Sequence, residues 1–281
     1  MKRITPFLFL LLTLNACRKE KSIESGDKNP IFIGSNCRIS QVLSVDSLTG
    51  IGFDAHNAFF DAAGKPTGTE LYDSLSNSIY FGSLFTYSAD TAFVNSGEYF
   101  VNDAATGRVK EFKGLIDPSD PLSDTVQIIF SYDASGYLLK KDYYFFGMAV
   151  PLLRSTYSYN SGNLTRALLE YVFPTTEVFL DAAVEYNSSQ PANGMMYVFP
   201  DGFYIAQYNL SFNFGKRPVH TLKKVTTKLY SSGILTDSLV TNYSNYKLSR
   251  DNYVLELFAA GDFQDGMGII DGRTKFSYSC K

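Results

Sequence analysis

The sequence predicts an all-β fold, a large antiparallel meander of hairpins that forms an open curved sheet or a partly closed barrel. Three observations predict it. Apolar and polar residues alternate with a period of two in segment after segment, the pattern of half-buried strands. An aromatic residue followed by a polar turn and a glycine recurs along the chain. Helix signals are scarce, whereas 20 Tyr and 23 Phe favour strands. One apolar face per strand fits antiparallel pairing, not a parallel α/β sheet.

The chain begins with a different kind of element. Lys2 and Arg3 precede an apolar run from Pro6 to Leu14, and Leu14-Asn15-Ala16-Cys17 closes it. A positive start, a short apolar stretch and a small residue at the end make a secretory signal, too short to span a bilayer. Leu14 to Cys17 resembles the lipobox of bacterial lipoproteins. The resemblance implies that residues 1–16 are removed and that Cys17 becomes the acylated first residue, with fatty acids such as palmitate as the anchor. The alternative is an ordinary signal peptide with an incidental cysteine. Residues 17–35 then form the lipidated N-terminus and a charged, Ser- and Gly-containing tether. Residues 36–281 are expected to be one all-β domain. The expected location is the cell envelope, lipid-anchored at the outer membrane, on its periplasmic or its surface side.

With Cys17 carrying lipid, Cys37 and Cys280 remain, one before the first strand and one beside the C-terminus. Two leftover thiols in an oxidising compartment are expected to pair. Two unpaired thiols are the alternative.

Within the body, Val126, Ile128, Phe130 and Tyr132 alternate with Thr125, Gln127 and Ser131. Tyr208, Leu210, Phe212 and Phe214 alternate with Gln207, Asn209, Ser211 and Asn213. Val225, Thr227 and Leu229, and later Phe276, Tyr278 and Cys280, repeat it. Asp54 to Ala63 allows a short helix or a strand and turn, and Leu164 to Val172 reads as a strand.

The recurring turn is clearest at Tyr132-Asp133-Ala134-Ser135-Gly136-Tyr137-Leu138, then at Tyr159 to Thr165 and Tyr230 to Thr236. Looser copies start at Phe60, Asp103 and Phe199. In each, an aromatic ends a strand, polar residues turn, glycine supplies positive φ, and apolar residues start the return strand. The copies resemble the tyrosine–aspartate repeats of Rhs-type shells, and more closely uncharacterised lipoproteins of Bacteroidetes-type bacteria. The latter combine a lipobox, a short tether, YDxxG hairpins and a terminal Y-x-C, matched here by Cys17, Tyr132 to Leu138, Tyr159 to Leu164, and Tyr278-Ser279-Cys280. That resemblance implies an extended all-β meander with no established activity.

Chemistry is sparse. A net charge of −3 without a basic stripe excludes nucleic acid as the expected partner. His56 and His220 are the only histidines, and with Cys17 taken by lipid there is no third thiol, so no zinc ligand set is read. His220 sits in a turn-like stretch and reads as a solvated loop residue. No phosphate-cradling glycine loop occurs, and no cofactor is expected. Asp262, Asp265 and Asp271 lie in a Gly-containing segment that could wrap Ca²⁺, with solvated turns as the alternative. Asp followed by Ser or Thr and a small aliphatic residue resembles the O-glycosylation acceptor of secreted Bacteroidetes proteins. It makes Ser47, Ser74, Thr91, Thr125 and Ser238 candidate acceptors. Asp-Ser pairs also start turns, which is the competing explanation.

The expected function is therefore a non-catalytic envelope lipoprotein with a binding or structural role, attached to the membrane through its lipid and taking a glycan or lipid ligand. One alternative is a carrier that holds an apolar ligand in a β-sheet cavity. A carboxylate-based hydrolase is the remaining one.

Overall fold

The computed structural model describes residues 37–46, 49–73, 75–76, 78–95, 97–115, 124–202, 205–262, 269 and 271–280. The signal, the tether, Cys17, Ser47, Ser74 and Asp265 lie outside the described residues.

Sixteen strands run in order: β1 (Cys37–Val45), β2 (Gly52–Phe60), β3 (Pro66–Asp73), β4 (Ser78–Ser88), β5 (Thr91–Val94), β6 (Tyr99–Asn102), β7 (Val109–Leu115), β8 (Thr125–Tyr132), β9 (Leu138–Phe145), β10 (Leu153–Asn160), β11 (Asn163–Tyr171), β12 (Glu177–Pro191), β13 (His220–Ser231), β14 (Ile234–Leu248), β15 (Val254–Gly261) and β16 (Gly272–Cys280). Each pairs antiparallel with its neighbour in sequence, and β1 pairs with β16, so the sheet closes completely into an up-and-down barrel. Closure removes both free edges, which a meander of this length would otherwise expose. Asp54 to Ala63 is strand and turn, not helix, because Phe60 and Phe59 continue the ladder to Pro66 and Gly68.

The closing seam is covalent. Cys37 and Cys280 form a disulfide, with Cα atoms 4.1 Å apart and 243 residues between them. They are also the first register pair of β1 against β16.

In an up-and-down barrel alternate turns share an end. The end holding Cys37 and Cys280 is the mouth. The aromatic–turn–glycine copies separate there into two geometries. Asp61 and Asp133 each accept, through Oδ1, the backbone N–H four residues on (2.8 Å), while Gly64 and Gly136 take φ of 71° and 94°. Asp103 Oδ1 accepts instead from the Thr106 N–H three residues on, at 2.8 Å. Ser161-Gly162 is instead a two-residue turn with both φ positive, the geometry that matches strand twist. Ser232-Gly233 repeats it at the opposite end.

Four tyrosines near the mouth serve as latches. Tyr87 Oη donates to the Pro66 carbonyl, Tyr132 to Val109, Tyr246 to Leu222 and Tyr278 to Val254, at 2.5–2.8 Å. In each case a residue near the mouth end of an even strand ties the start of the preceding odd strand. The latch recurs on β4, β8, β14 and β16.

Inward positions are apolar: Phe100, Phe112, Val126, Ile128, Leu169, Leu180 and Leu257 are fully buried. Outward positions carry paired polar groups around most of the wall. Gln41, Asn57 and Glu70 form a hydrogen-bonded row across β1 to β3. Asp142 pairs with Lys140 and Arg154, Asp181 with Arg166, Glu185 with Lys223, and Glu256 with Lys247 and Arg273. Apolar residues are exposed among them, Phe59, Leu84 and Phe93 on β2, β4 and β5, Leu139 on β9, and Ile234 and Leu235 on β14.

Candidate binding site at a plugged barrel mouth

A barrel of sixteen strands is wide enough to leave an aqueous channel unless something fills it. Here the described residues between β12 and β13, 192–202 and 205–219, carry a buried stretch into the interior. Met195, Met196, Tyr197, Phe199, Ile205, Tyr208, Leu210, Phe212 and Phe214 are all buried. The plug contains a single 3-10 turn, Ala206–Tyr208. Two sequence expectations are corrected by it. Tyr208 to Phe214 is not a strand despite its alternation: Asn209 and Ser211 are as buried as their apolar neighbours. Inside a barrel the wall supplies apolar and polar contacts on every side, so alternation loses its meaning. The turn copy at Phe199 is likewise not a hairpin, because its Asp201 lies wholly inside.

Aromatic rings bind plug to wall. Phe100 stacks on Phe212 with centroids 4.0 Å apart, Phe85 lies 5.1 Å from Phe212, and Phe130 lies 5.6 Å from Phe214. The abundance of Phe in the sequence reflects this double layer of interior contacts. Such pairs contribute about 0.5–1.5 kcal/mol each beyond burial.

Three polar clamps fix the plug's position. In the first, Asp201 Oδ2 lies 2.9 Å from Lys141 Nζ of β9, both side chains being 0% exposed. The same oxygen accepts from Tyr157 (2.6 Å), Tyr143 (3.1 Å) and Ser155. Burial pushes the Asp201 carboxyl up, but Lys141 and the hydroxyls outweigh it and hold it below the ordinary carboxylate range. Burial lowers the Lys141 ammonium, and Asp201 offsets part of that. In the second clamp Tyr208 Oη donates to Glu98, and burial together with that carboxylate pushes the phenol up. In the third, His56 Nε2 donates to the Gln207 carbonyl (2.9 Å), which Thr69 Oγ1 also reaches at 3.2 Å.

The third clamp has a pH consequence. Burial lowers the His56 pKa from 6.5 to about 4, against a smaller upward pull from the Gln207 carbonyl. Above pH 6.5 neither folded nor unfolded chain is protonated there. Between pH 6.5 and about 4 the unfolded chain binds a proton that the folded chain refuses, so stability falls on acidification. The loss reaches about 3 kcal/mol by pH 4. Urea titrations across that range should show it, and His56→Gln should flatten the slope; an unchanged slope would place His56 outside the interior.

Above the plug the mouth is a cup. One open depression of about 370 Å³ is lined by Lys65, Tyr87, Asp90, Asn102, Thr106 and the plug residues Ser211 to Asn213 among others. A second of about 350 Å³ runs past Tyr197, Phe212 and Arg217 to Cys37. A third of about 200 Å³ adjoins the disulfide. Arg38 lines all three.

The cations here sit on aromatic rings. Lys65 Nζ is 3.5 Å from the Tyr87 centroid, Arg217 4.9 Å from Tyr197, Arg108 5.0 Å from Tyr132, Lys216 5.3 Å from Tyr137, and Arg38 5.8 Å from Phe60. None of the five forms an ion pair among the described residues, in contrast to the paired cations of the outer wall.

Sequence-derived site residues fall elsewhere. Thr91 and Thr125 open β5 and β8 half-buried, and Ser238 is exposed in β14. Asp262 Oδ2 accepts from Val240 N at 3.3 Å, and Asp271 precedes β16. No group of three metal-ligating side chains occurs among the described residues. His220 is not a solvated loop residue: it begins β13 and its Nδ1 lies 2.9 Å from Asn163 Nδ2. Sequence inspection missed Lys141 and Asp201. The signal present was parity, since Lys141 shares an inward face with Tyr143 and Phe145.

The fold and plug define a closed, up-and-down barrel with an occupied interior. Among solved structures it is similar to a porin-like protein from Bacteroides uniformis, at 14% identity over 86% of this chain and 98% of that one, with a TM-score of 0.59. A porin-like protein from Bacteroides vulgatus aligns over the same shares at 12% identity and a TM-score of 0.50. At these identities the likeness is one of fold alone. No family model matches the chain, and no curated protein matches it significantly.

Proposed function

We propose that this chain is a non-catalytic, lipid-anchored barrel of the cell envelope that stands in water and works as a binding module through its mouth. The observation that carries this reading is the combination of a plugged interior with a charged outer wall. A lipid-facing Arg or Lys near the bilayer midplane costs a barrel about 2–4 kcal/mol, and this wall holds Lys140, Arg154, Arg166 and Arg273 in rows. The plug occupies the volume that a pore or an apolar-ligand carrier would need open. A tether leaving from Cys17 would join the body at the mouth end, beside Cys37.

The test has two parts. A chain beginning at Ser35 is expected to be monodisperse without detergent and to add no conductance to planar bilayers. Ion conductance, or precipitation rescued only by detergent, would overturn the water-exposed barrel in favour of a pore. In cells, labelled palmitate is expected on the wild type and absent from Cys17→Ala; equal labelling of both would remove the anchor.

A further inference from the structure

We propose that the mouth cup binds an acidic oligosaccharide, with Arg38, Lys65 and Arg217 holding its anionic groups. The proposal deepens, and rests on, the reading of the barrel as a water-exposed binding module.

The first support is how the cations are held. A carboxylate partner fixes a cation and also neutralises it. An aromatic ring fixes it through the quadrupole and leaves its charge available. At the mouth five cations are held in the second way, and Arg108 Nη1, buried, meets no protein acceptor. The neighbouring carboxylates are engaged by backbone: Asp61, Asp103 and Asp133 each accept N–H groups of their own turns. Asp90 is the carboxylate lining the depression of about 370 Å³ that has no such role.

The second support is the shape and lining. All three depressions share Arg38, so a ligand of several sugar units can reach more than one of them. Between the cations lie Asn102, Thr106, Ser211 and Asn213, neutral groups that exchange hydrogen bonds with hydroxyls. Phe212 gives an apolar floor for a sugar's C–H face. That floor is only 5% exposed, so a flat bilayer cannot press its headgroups onto it. An extended peptide would seek a sheet edge, and the closed barrel offers none.

The test uses the full chain in an affinity titration against trigalacturonic acid and a heparin-derived tetrasaccharide, with maltotriose as the neutral control. Vesicles of phosphatidylglycerol and of phosphatidylcholine serve a chain carrying Cys17→Ala. Binding of an acidic oligosaccharide, weakened by salt and absent for maltotriose, is expected. Arg38→Gln, Lys65→Gln and Arg217→Gln should each weaken it about tenfold. Asp90→Asn should tighten it about twofold to fivefold, an effect that unfolding cannot mimic. Binding of neither acidic saccharide, binding unaffected by these variants, or binding of anionic vesicles alone would overturn the proposal. The bilayer conductance result is independent of all of these outcomes, so the module reading stands or falls separately.

Discussion

Lys141→Met is expected to destabilise the barrel by about 3–5 kcal/mol, because it leaves the Asp201 carboxylate buried without its cation. Asp201→Ala should cost a similar amount by stranding the ammonium. The pair itself is a different matter. Two charges taken out of water give back in mutual attraction roughly what their desolvation costs, so a pair is expensive to break and cheap to replace. Here Asp201 Oδ2 also collects the hydroxyls of Ser155, Tyr157 and Tyr143. The informative double variant therefore keeps an acceptor: Lys141→Met with Asp201→Asn retains an amide oxygen for those donors and removes both charges. It should recover at least half of the loss seen in either single variant, giving a coupling energy well above the few tenths expected of independent sites. Equilibrium unfolding in urea measures it. Single-variant losses below about 1 kcal/mol would mean that the plug does not carry Asp201 into the interior.

Breaking the seam disulfide is the second large effect. Replacing Cys37 and Cys280 together with Ser frees a denatured chain that the bond otherwise closes over 243 residues. Chain entropy puts the cost at about 5 kcal/mol, an upper figure because the denatured state retains structure. For a body of this size that corresponds to a fall in Tm of about 10 °C. The loss should appear equally in wild type treated with reductant, and the double variant should be indifferent to reductant. The folded barrel keeps its ladder from Arg38 against Ser279 to Val45 against Arg273, so the effect belongs mainly to the unfolded chain. Melting curves that coincide with and without reductant would show that the thiols are not paired in the native protein.

Much of the wall was legible in the sequence. Alternation at Val126 to Tyr132 and Phe276 to Cys280 marks strands, because a wall residue faces either the interior or water and the side chain flips every residue. The turns at Tyr132 and Tyr159 were legible because glycine and aspartate have specific backbone roles there. The cysteine pair followed from counting once Cys17 was set aside.

The plug was not legible, and it misled. Tyr208 to Phe214 alternates like a strand, yet its polar Asn209 and Ser211 are buried with its apolar residues and it belongs to no strand. A period of two reports a two-sided environment only where one exists. The mouth cations were equally hidden, since Arg38, Lys65 and Arg217 are far apart in sequence and gather only when the turns and the plug converge.

Local chemistry alone specified strands, turns and an all-β body, because each depends on a few neighbouring residues and their backbone preferences. Whether the sheet stayed open or closed, which segment filled it, and which charges met at its mouth were decided by long-range packing. Closure depends on β1 meeting β16 across the whole chain, and the buried Lys141–Asp201 pair exists only once that closure has made an inside.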